Sequence, residues 1–161
     1  MTNTTFTKDL ENGKMFITRE FRAEPTLVWQ AWTQPELLDQ WWAPKPWKAR
    51  TKAMHFAEGG YWLYCMEGPE GEKSWGKASY TRIEAPKRFE AIDSFCDENG
   101  VENTDFPSTN WKTLFRQSPA GTVVEIDLTF ASPEDMEKLA AMGFQEGFAA
   151  AHENLDALLQ G

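Results

Sequence analysis

The stretch AWTQPELLDQWWAPKPWKA, at positions 31–49, decides the fold because it marks where the chain changes from helix to sheet. A proline suits the first turn of a helix, where its missing N–H costs nothing, so Pro25 and Pro35 predict two short helices. Pro44 and Pro46 end the second helix. Five of the eight tryptophans lie between positions 29 and 47. Whether these indoles pack, line a pocket or contact a membrane or bases therefore bears on function.

Helical spacing assigns most of these tryptophans to packing. Val28 with Trp32, and Leu38 with Trp41, follow the three- and four-residue repeat of an apolar helix face. Indoles cover a large area per residue, which suits two short helices that must close one end of a curved sheet. We interpret four tryptophans in this way: Trp29, Trp32, Trp41 and Trp42.

Trp47 lies outside that pattern, in a loop bounded by prolines. The basic residues around it have no acid among them and would attract an anionic head group or an acidic partner: Lys45, Lys48, Arg50 and Lys52. Trp47 is therefore a candidate for a cavity rim or a partner contact. An ordinary solvated strand edge is the alternative.

Alternating apolar residues predict six strands, at positions 14–23, 61–67, 74–84, 88–96, 110–117 and 122–130. The chain then ends helically. Ser132 and Pro133 form a helix start, and apolar residues from Met142 onward recur at helical spacing. This order predicts an α+β fold, in which an antiparallel sheet packs against segregated helices.

Length and charge limit the classes of function. A chain of 161 residues fits one domain, and its net charge of −9 arises in the second half, where residues 81–161 carry six basic and fifteen acidic side chains. An acidic surface repels phosphate backbones, so we expect no nucleic-acid binding. The sequence shows no signal peptide and no run of ~18 apolar residues. We therefore expect a cytoplasmic protein without a membrane span, in which Cys65 and Cys96 stay reduced.

Motifs that carry stand-alone catalysis are missing from the sequence. The two histidines, His55 and His152, lie 97 positions apart, so no metal-ligand spacing exists and we expect neither a metal nor a cofactor. There is no nucleophile elbow, phosphate-binding loop or dinucleotide fingerprint. Because no convergent acid–base pair can be named, an enzyme is the weakest of the function classes that we consider.

Several short sequence motifs, in order over positions 14–160, resemble those of the START-like helix-grip superfamily. They are AEP with VW (Ala23–Trp29), AWTQPELLDQWW, GG with Trp62, GPEG, APKRFEAIDSF and MGFQEGF (Met142–Phe148). The nearest branch is the one named for the C-terminal domain of the activator of heat shock protein 90 ATPase. The resemblance implies one domain over 1–161, with 1–13 a flexible lead-in. It also implies a curved antiparallel sheet of about six or seven strands, with two short helices and a cavity under a long C-terminal helix.

Strand phase, the C-terminal helix and the loop position of Trp47 select the residues that would line such a cavity. In that helix, Gly143 and Gly147 lie four residues apart and predict the cavity mouth or a bend. Tyrosine and tryptophan suit a pocket because each has a large apolar body with one hydrogen-bonding tip. Asp93 is in phase with Phe89 and Ala91, so it is either a buried carboxylate facing a ligand or a group that points to solvent. The candidates are Trp47, Trp62, Tyr64, Trp75, Tyr80, Asp93, Phe95, Trp111, Phe115, Phe144, Phe148 and His152. A packed core without a cavity is the alternative.

Three classes of function follow. The first is a module that binds a small apolar or amphipathic molecule between the sheet and the C-terminal helix. The second is a co-chaperone-like interaction protein, which the resemblance implies, with a chaperone or another protein as partner and a place in the stress response. The third is an enzyme acting on a ligand in the cavity. Fold alone does not choose among them.

Overall fold

The computed structural model describes residues 3–161 and shows an α+β fold. Strands β1–β8 span Thr5–Asp9, Lys14–Phe21, Lys48–Met54, Tyr61–Glu67, Lys73–Glu84, Arg88–Cys96, Thr109–Ser118 and Gly121–Phe130. Helices α1–α4 span Pro25–Thr33, Pro35–Trp41, Pro133–Ala141 and Phe144–Gln160. The predicted class is confirmed, including the two short proline-started helices and the long C-terminal helix.

The strands form one antiparallel sheet in the order β1-β2-β8-β7-β6-β5-β4-β3. It has eight strands, whereas about six or seven were expected. The two additional strands, β1 and β3, are the sheet edges, and their sequences TFTKD and KARTKAM lack a clear apolar alternation. An edge strand covers little of the core and often carries lysine, so periodicity does not reveal it. β1 lies within the segment 1–13 that was expected to be a flexible lead-in.

The core lies between one face of the sheet and the helices. Alternate residues of the central strands are fully buried, such as Ile17 on β2 and Ile126 on β8, which are paired in register. Leu155 of α4 packs into the same cluster. At one end, Trp41 is fully buried and its Nε1 donates to the Ala31 carbonyl at 2.9 Å, which joins α2 to α1. The two short helices thus close the sheet end as their spacing predicted.

The C-terminal helical region is divided in two at Gly143, within the segment where the sequence predicted a bend or the cavity mouth. Ser132 caps α3 by accepting a hydrogen bond from the Asp135 amide at 3.2 Å. Gly143 then adopts a left-handed conformation with φ of 85°, so α3 ends and α4 starts in a new direction. The break places residues of both helices at one side of the sheet, where the cavity lies.

Candidate ligand cavity

A cavity of about 240 Å³ lies between strands β4–β7 and the helices. It is partly open to solvent, and its walls are mainly apolar and aromatic. Seven of the residues predicted from the sequence line it: Tyr64, Trp75, Asp93, Phe95, Trp111, Phe144 and Phe148. The sheet supplies the first five and α4 supplies the two phenylalanines, so the cavity is formed where the long helix crosses the sheet.

The aromatic wall on α4 is a set of rings in mutual contact. Phe144 and Phe148, one helical turn apart, are stacked with ring centroids 5.4 Å apart. Trp111 of β7 meets Phe148 edge to face at 5.4 Å and Phe144 at 6.1 Å. Such offset and edge contacts fix ring positions, so this wall is a rigid apolar surface.

Tyr64 occupies the opposite, sheet side of the cavity, and glycine makes room for it. Its ring stacks on Trp62, two residues earlier on β4, with centroids 4.0 Å apart. Gly76 is its register partner on β5, and a Cβ atom there would lie only 2.6 Å from the Tyr64 hydroxyl oxygen. Tyr64 therefore lies across β5 toward β6, which brings its hydroxyl to Asp93.

Asp93 forms the polar point of the cavity. It stands on β6 between Ala78 of β5 and Thr109 of β7, is half-buried, and faces inward in phase with Phe89 and Ala91. The Tyr64 hydroxyl donates to its Oδ1 at 3.3 Å. Burial raises the pKa of Asp93 to about 7, and the hydrogen bond from Tyr64 offsets only part of that shift. Of the two orientations that the sequence allowed, the structure has the inward one.

A smaller chamber of about 30 Å³ continues inward from the cavity. Trp42, Asp93 and Trp111 line both spaces. The predicted residues Trp62 and Tyr80 line the chamber but not the cavity. Three buried polar atoms of its walls have no hydrogen-bond partner in the described part of the chain: Nε1 of Trp32, Nε1 of Trp111 and Oγ1 of Thr113. The walls of the chamber are therefore mainly apolar, but their unpaired polar atoms can form hydrogen bonds with a water-sized group.

Two predicted residues lie away from both spaces. Phe115 packs edge to face against Trp29 in the core, with centroids 5.2 Å apart. Trp47 is half-buried against the β4–β5 hairpin, where a Cβ at Gly68 would lie 3.0 Å from its ring. Trp47 thus packs against this hairpin, among the basic residues of positions 45–52, and does not form the cavity rim.

His152 also lies outside the cavity and has a structural environment. It is 1% exposed, and its Nδ1 lies 2.8 Å from the Thr4 hydroxyl oxygen. Burial, with a smaller effect of the nearby Arg19 charge, lowers the pKa of His152 to about 3, so the imidazole is neutral at physiological pH. Arg19 is buried too, and it pairs with Glu153 at 3.4 Å and Asp156 at 3.8 Å on α4. These contacts fasten α4 to β2 and the chain start.

The structure also shows lining residues that the sequence did not identify, and Trp42 is the most informative. It was assigned to the packing group, yet it is half-buried and separates the cavity from the inner chamber. Adjacent helix positions point about 100° apart, so the complete burial of Trp41 leaves Trp42 on another face. Leu139 and Met142, around the break between α3 and α4, complete the cavity mouth. The spacing of Gly143 and Gly147 predicted a bend or the cavity mouth in this segment, but not which of its side chains line the cavity.

Within residues 3–161, no cluster of three or more His, Cys, Asp or Glu side chains is placed to hold a metal ion. No helix in that same range has the length and apolar character needed to cross a membrane.

Residues 22–160 match the family described as Activator of Hsp90 ATPase homolog 1-like protein. The match includes both short helices, strands β3–β8 and the long helix. The chain belongs to this family. The resemblance to the helix-grip superfamily, drawn from sequence words alone, is thereby confirmed.

Solved structures of family-like proteins agree with this fold over nearly their full length. Protein Ms6760 from Mycobacterium smegmatis is 34% identical, with a TM-score of 0.90 over 98% of this chain and 96% of its own. A protein from Arthrobacter aurescens is 36% identical, with a TM-score of 0.90 over 97% and 91%. A protein from Staphylococcus epidermidis is 27% identical, with a TM-score of 0.84 over 97% and 93%. No curated protein matches the chain.

Proposed function

We propose that this family member is a small-molecule binding module, whose cavity takes an apolar or amphipathic ligand between the sheet and α4. The observation that carries the proposal is the cavity of about 240 Å³, with mainly aromatic and apolar walls and the hydrogen-bonded pair of Tyr64 and Asp93 among its few polar groups. Ligand pockets in proteins are concave, largely apolar and contain a few placed polar groups. This cavity has each of those properties.

The volume and the polarity together limit the ligand. Typical ligand pockets measure ~300–1,000 Å³, so a space of about 240 Å³ favours a small molecule rather than a long acyl chain. Phe144, Phe148 and Trp111 would cover its apolar body. The Asp93–Tyr64 pair would fix its polar end, because hydrogen bonds give orientation where apolar contacts give affinity.

Native mass spectrometry of the freshly purified protein, followed by titration with a neutral fluorescent naphthylamine, tests the proposal. We expect saturable binding of the probe, and Phe148→Trp should weaken it at least tenfold because the larger indole fills the space beside Phe144 and Trp111. Phe16→Trp is the matched control, since Phe16 is on β2 and outside the cavity. Absence of any probe binding, or equal binding by Phe148→Trp, would contradict the proposal.

A co-chaperone role is the second candidate, and the family match favours it. Such a role would act through the surface of the protein, independently of the cavity. Measurement of a chaperone ATPase with and without this protein separates the two functions. Saturable stimulation that persists in Phe148→Trp would support the co-chaperone role, whereas we expect little or no stimulation because a shared fold does not transfer a surface.

A further inference from the structure

We propose that the cavity selects a small apolar cation, such as a lipophilic amine or an aryl ammonium ion, and holds its positive charge against Asp93. This inference rests on the proposed binding function and specifies the class of ligand. It follows from three features of the cavity: its charge, its aromatic rings and the absence of a counter-ion for its acid.

Asp93 has no basic partner. Within residues 3–161, none of the lysine, arginine or histidine side chains forms an ion pair with it, and its hydrogen bond comes from the neutral Tyr64 hydroxyl. An unpaired carboxylate is costly to keep out of water, so such a group either takes up a proton or pairs with a ligand that brings a positive charge.

The rest of the lining has a composition that suits a cation and excludes an anion. Across the described residues, no lysine, arginine or histidine lines the cavity, and Asp93 is its one carboxylate. An anionic ligand would meet only this acid and would find no compensating charge. A neutral ligand would leave the acid unpaired, which makes a cation the best electrostatic match.

Aromatic rings surround the same point. Between ring centroids, Trp42 lies 6.2 Å from Tyr64 and 6.0 Å from Trp111, and these three rings line the cavity together with Asp93. A cation within ~6 Å of an indole or phenol face is attracted by the negative charge of that face, and tryptophan is the strongest of these partners. Rings and carboxylate together form a site for an ammonium group that carries an apolar substituent.

The groups around Asp93 leave it as the one that titrates near neutral pH. Tyr64 on β4 and Tyr80 on β5 have pKa values raised by burial and by the Asp93 charge, and both stay neutral. Burial also raises the pKa of the Cys96 thiol on β6. The helices contribute apolar side chains to this side, including Trp42, Leu139 and Phe148.

The pH dependence of binding follows with a definite sign. With the Asp93 pKa at about 7 in the free protein, a bound cation stabilises the ionised form and releases a proton. Affinity for a cation should therefore be constant above pH 8 and fall about tenfold for each pH unit below 7, because protons compete with the ligand. A neutral ligand of the same shape should show no such loss.

Displacement of the naphthylamine probe by two molecules of equal shape tests this inference. Phenyltrimethylammonium carries the charge, and tert-butylbenzene is its neutral carbon analogue. At pH 8 we expect the cation to bind at least tenfold more tightly than the analogue, and this preference should disappear at pH 5. Asp93→Asn should remove the preference at pH 8. Asp127→Asn, on an exposed position of β8, is the matched control and should keep the preference.

The outcomes separate this inference from the function on which it rests. If the probe binds but the cation shows no preference at pH 8, or the preference survives in Asp93→Asn, the cation assignment is wrong and the binding function stands. If neither the probe nor either molecule binds, the binding function itself fails. The comparison of pH 8 with pH 5 uses the unaltered protein, so the test holds even if Asp93→Asn does not fold.

Discussion

Gly76 is the residue on which the polar end of the cavity depends. It lacks a side chain at the point where Tyr64 crosses β5, and this gap allows the Tyr64 hydroxyl to reach Asp93 at 3.3 Å. A strand glycine normally weakens a sheet, and a close approach by another group is a common reason for its presence. Here the approaching group is the Tyr64 ring. The absence of a Cβ atom at Gly76 thus allows Tyr64 to donate its hydrogen bond to Asp93.

Gly76→Ala should destabilise the protein by about 1–3 kcal/mol, because the new methyl group overlaps the Tyr64 ring in a packed wall. Urea unfolding of a double-mutant cycle with Tyr64→Leu measures this coupling. The shorter leucine leaves room for the methyl group, so Gly76→Ala should cost almost nothing in that background. Equal costs in both backgrounds would show that the contact with Tyr64 is not the cause.

At the scale of elements, the break between α3 and α4 shapes the cavity mouth. Gly143 and Gly147 lie four residues apart, but they have different roles. Gly143 has the left-handed φ of 85° that turns the chain, whereas Gly147 is within α4 and lines the cavity beside Pro44. The same residue type therefore ends one helix and leaves space in the next.

The two glycines predict opposite changes in stability. Gly143→Ala should destabilise by about 1–2 kcal/mol, the cost of placing a Cβ in the left-handed region. Gly147→Ala should stabilise by about 0.5–1 kcal/mol, since its Cβ would lie 3.7 Å from Pro44 and alanine favours a helix. Thermal unfolding of both variants measures the difference. A loss of stability in both would mean that the helical backbone at Gly147 also requires glycine.

Across the whole molecule, two titratable groups, Asp93 and His152, make stability depend on pH in opposite directions. Asp93 has a folded pKa of about 7, above its usual ~3.9, so the folded state binds more protons and stability falls as pH rises from 4 to 7. His152 has a folded pKa of about 3, below its usual ~6.5, so stability falls as pH drops from 6.5 to 3. Between about pH 4 and 6.5 the two slopes offset each other.

Asp93→Asn should expose this balance in denaturant unfolding at several pH values. Relative to the unaltered protein, we expect the variant to gain about 2–4 kcal/mol between pH 4 and pH 8, the equivalent of roughly three pKa units less the screening by water in the half-open cavity. Asp127→Asn should follow the unaltered protein throughout. Parallel pH profiles for Asp93→Asn and the unaltered protein would mean that Asp93 is ionised at no cost.

The limits of sequence-based prediction also show at this scale. The sequence identified all six inner strands, because most of them bury alternate residues on one face, as β7 and β8 do. β4 differs in burying four successive residues. The sequence analysis did not predict β1 and β3, because an edge strand of mainly polar residues shows no such alternation. The phase of Asp93 with Phe89 was visible, but only the sheet register brings Tyr64 to it. The separate position of Trp47 in sequence gave no information about the hairpin that it packs against.

The sheet order has a consequence for how the chain folds. β2 lies beside β8, so Ile17 pairs with Ile126, which is 126 − 17 = 109 positions later. Closing a loop of this length costs conformational entropy before the stabilising contacts between the two strands can form. Sheets with such long-range pairing therefore fold on a timescale of ~ms to s. During synthesis, β2 follows its neighbour β1 directly but emerges long before β8, its neighbour on the other side, exists. The first long strand made is therefore completed by the last, and a chain shortened within β8 would leave the edge of β2 open to pairing with other chains.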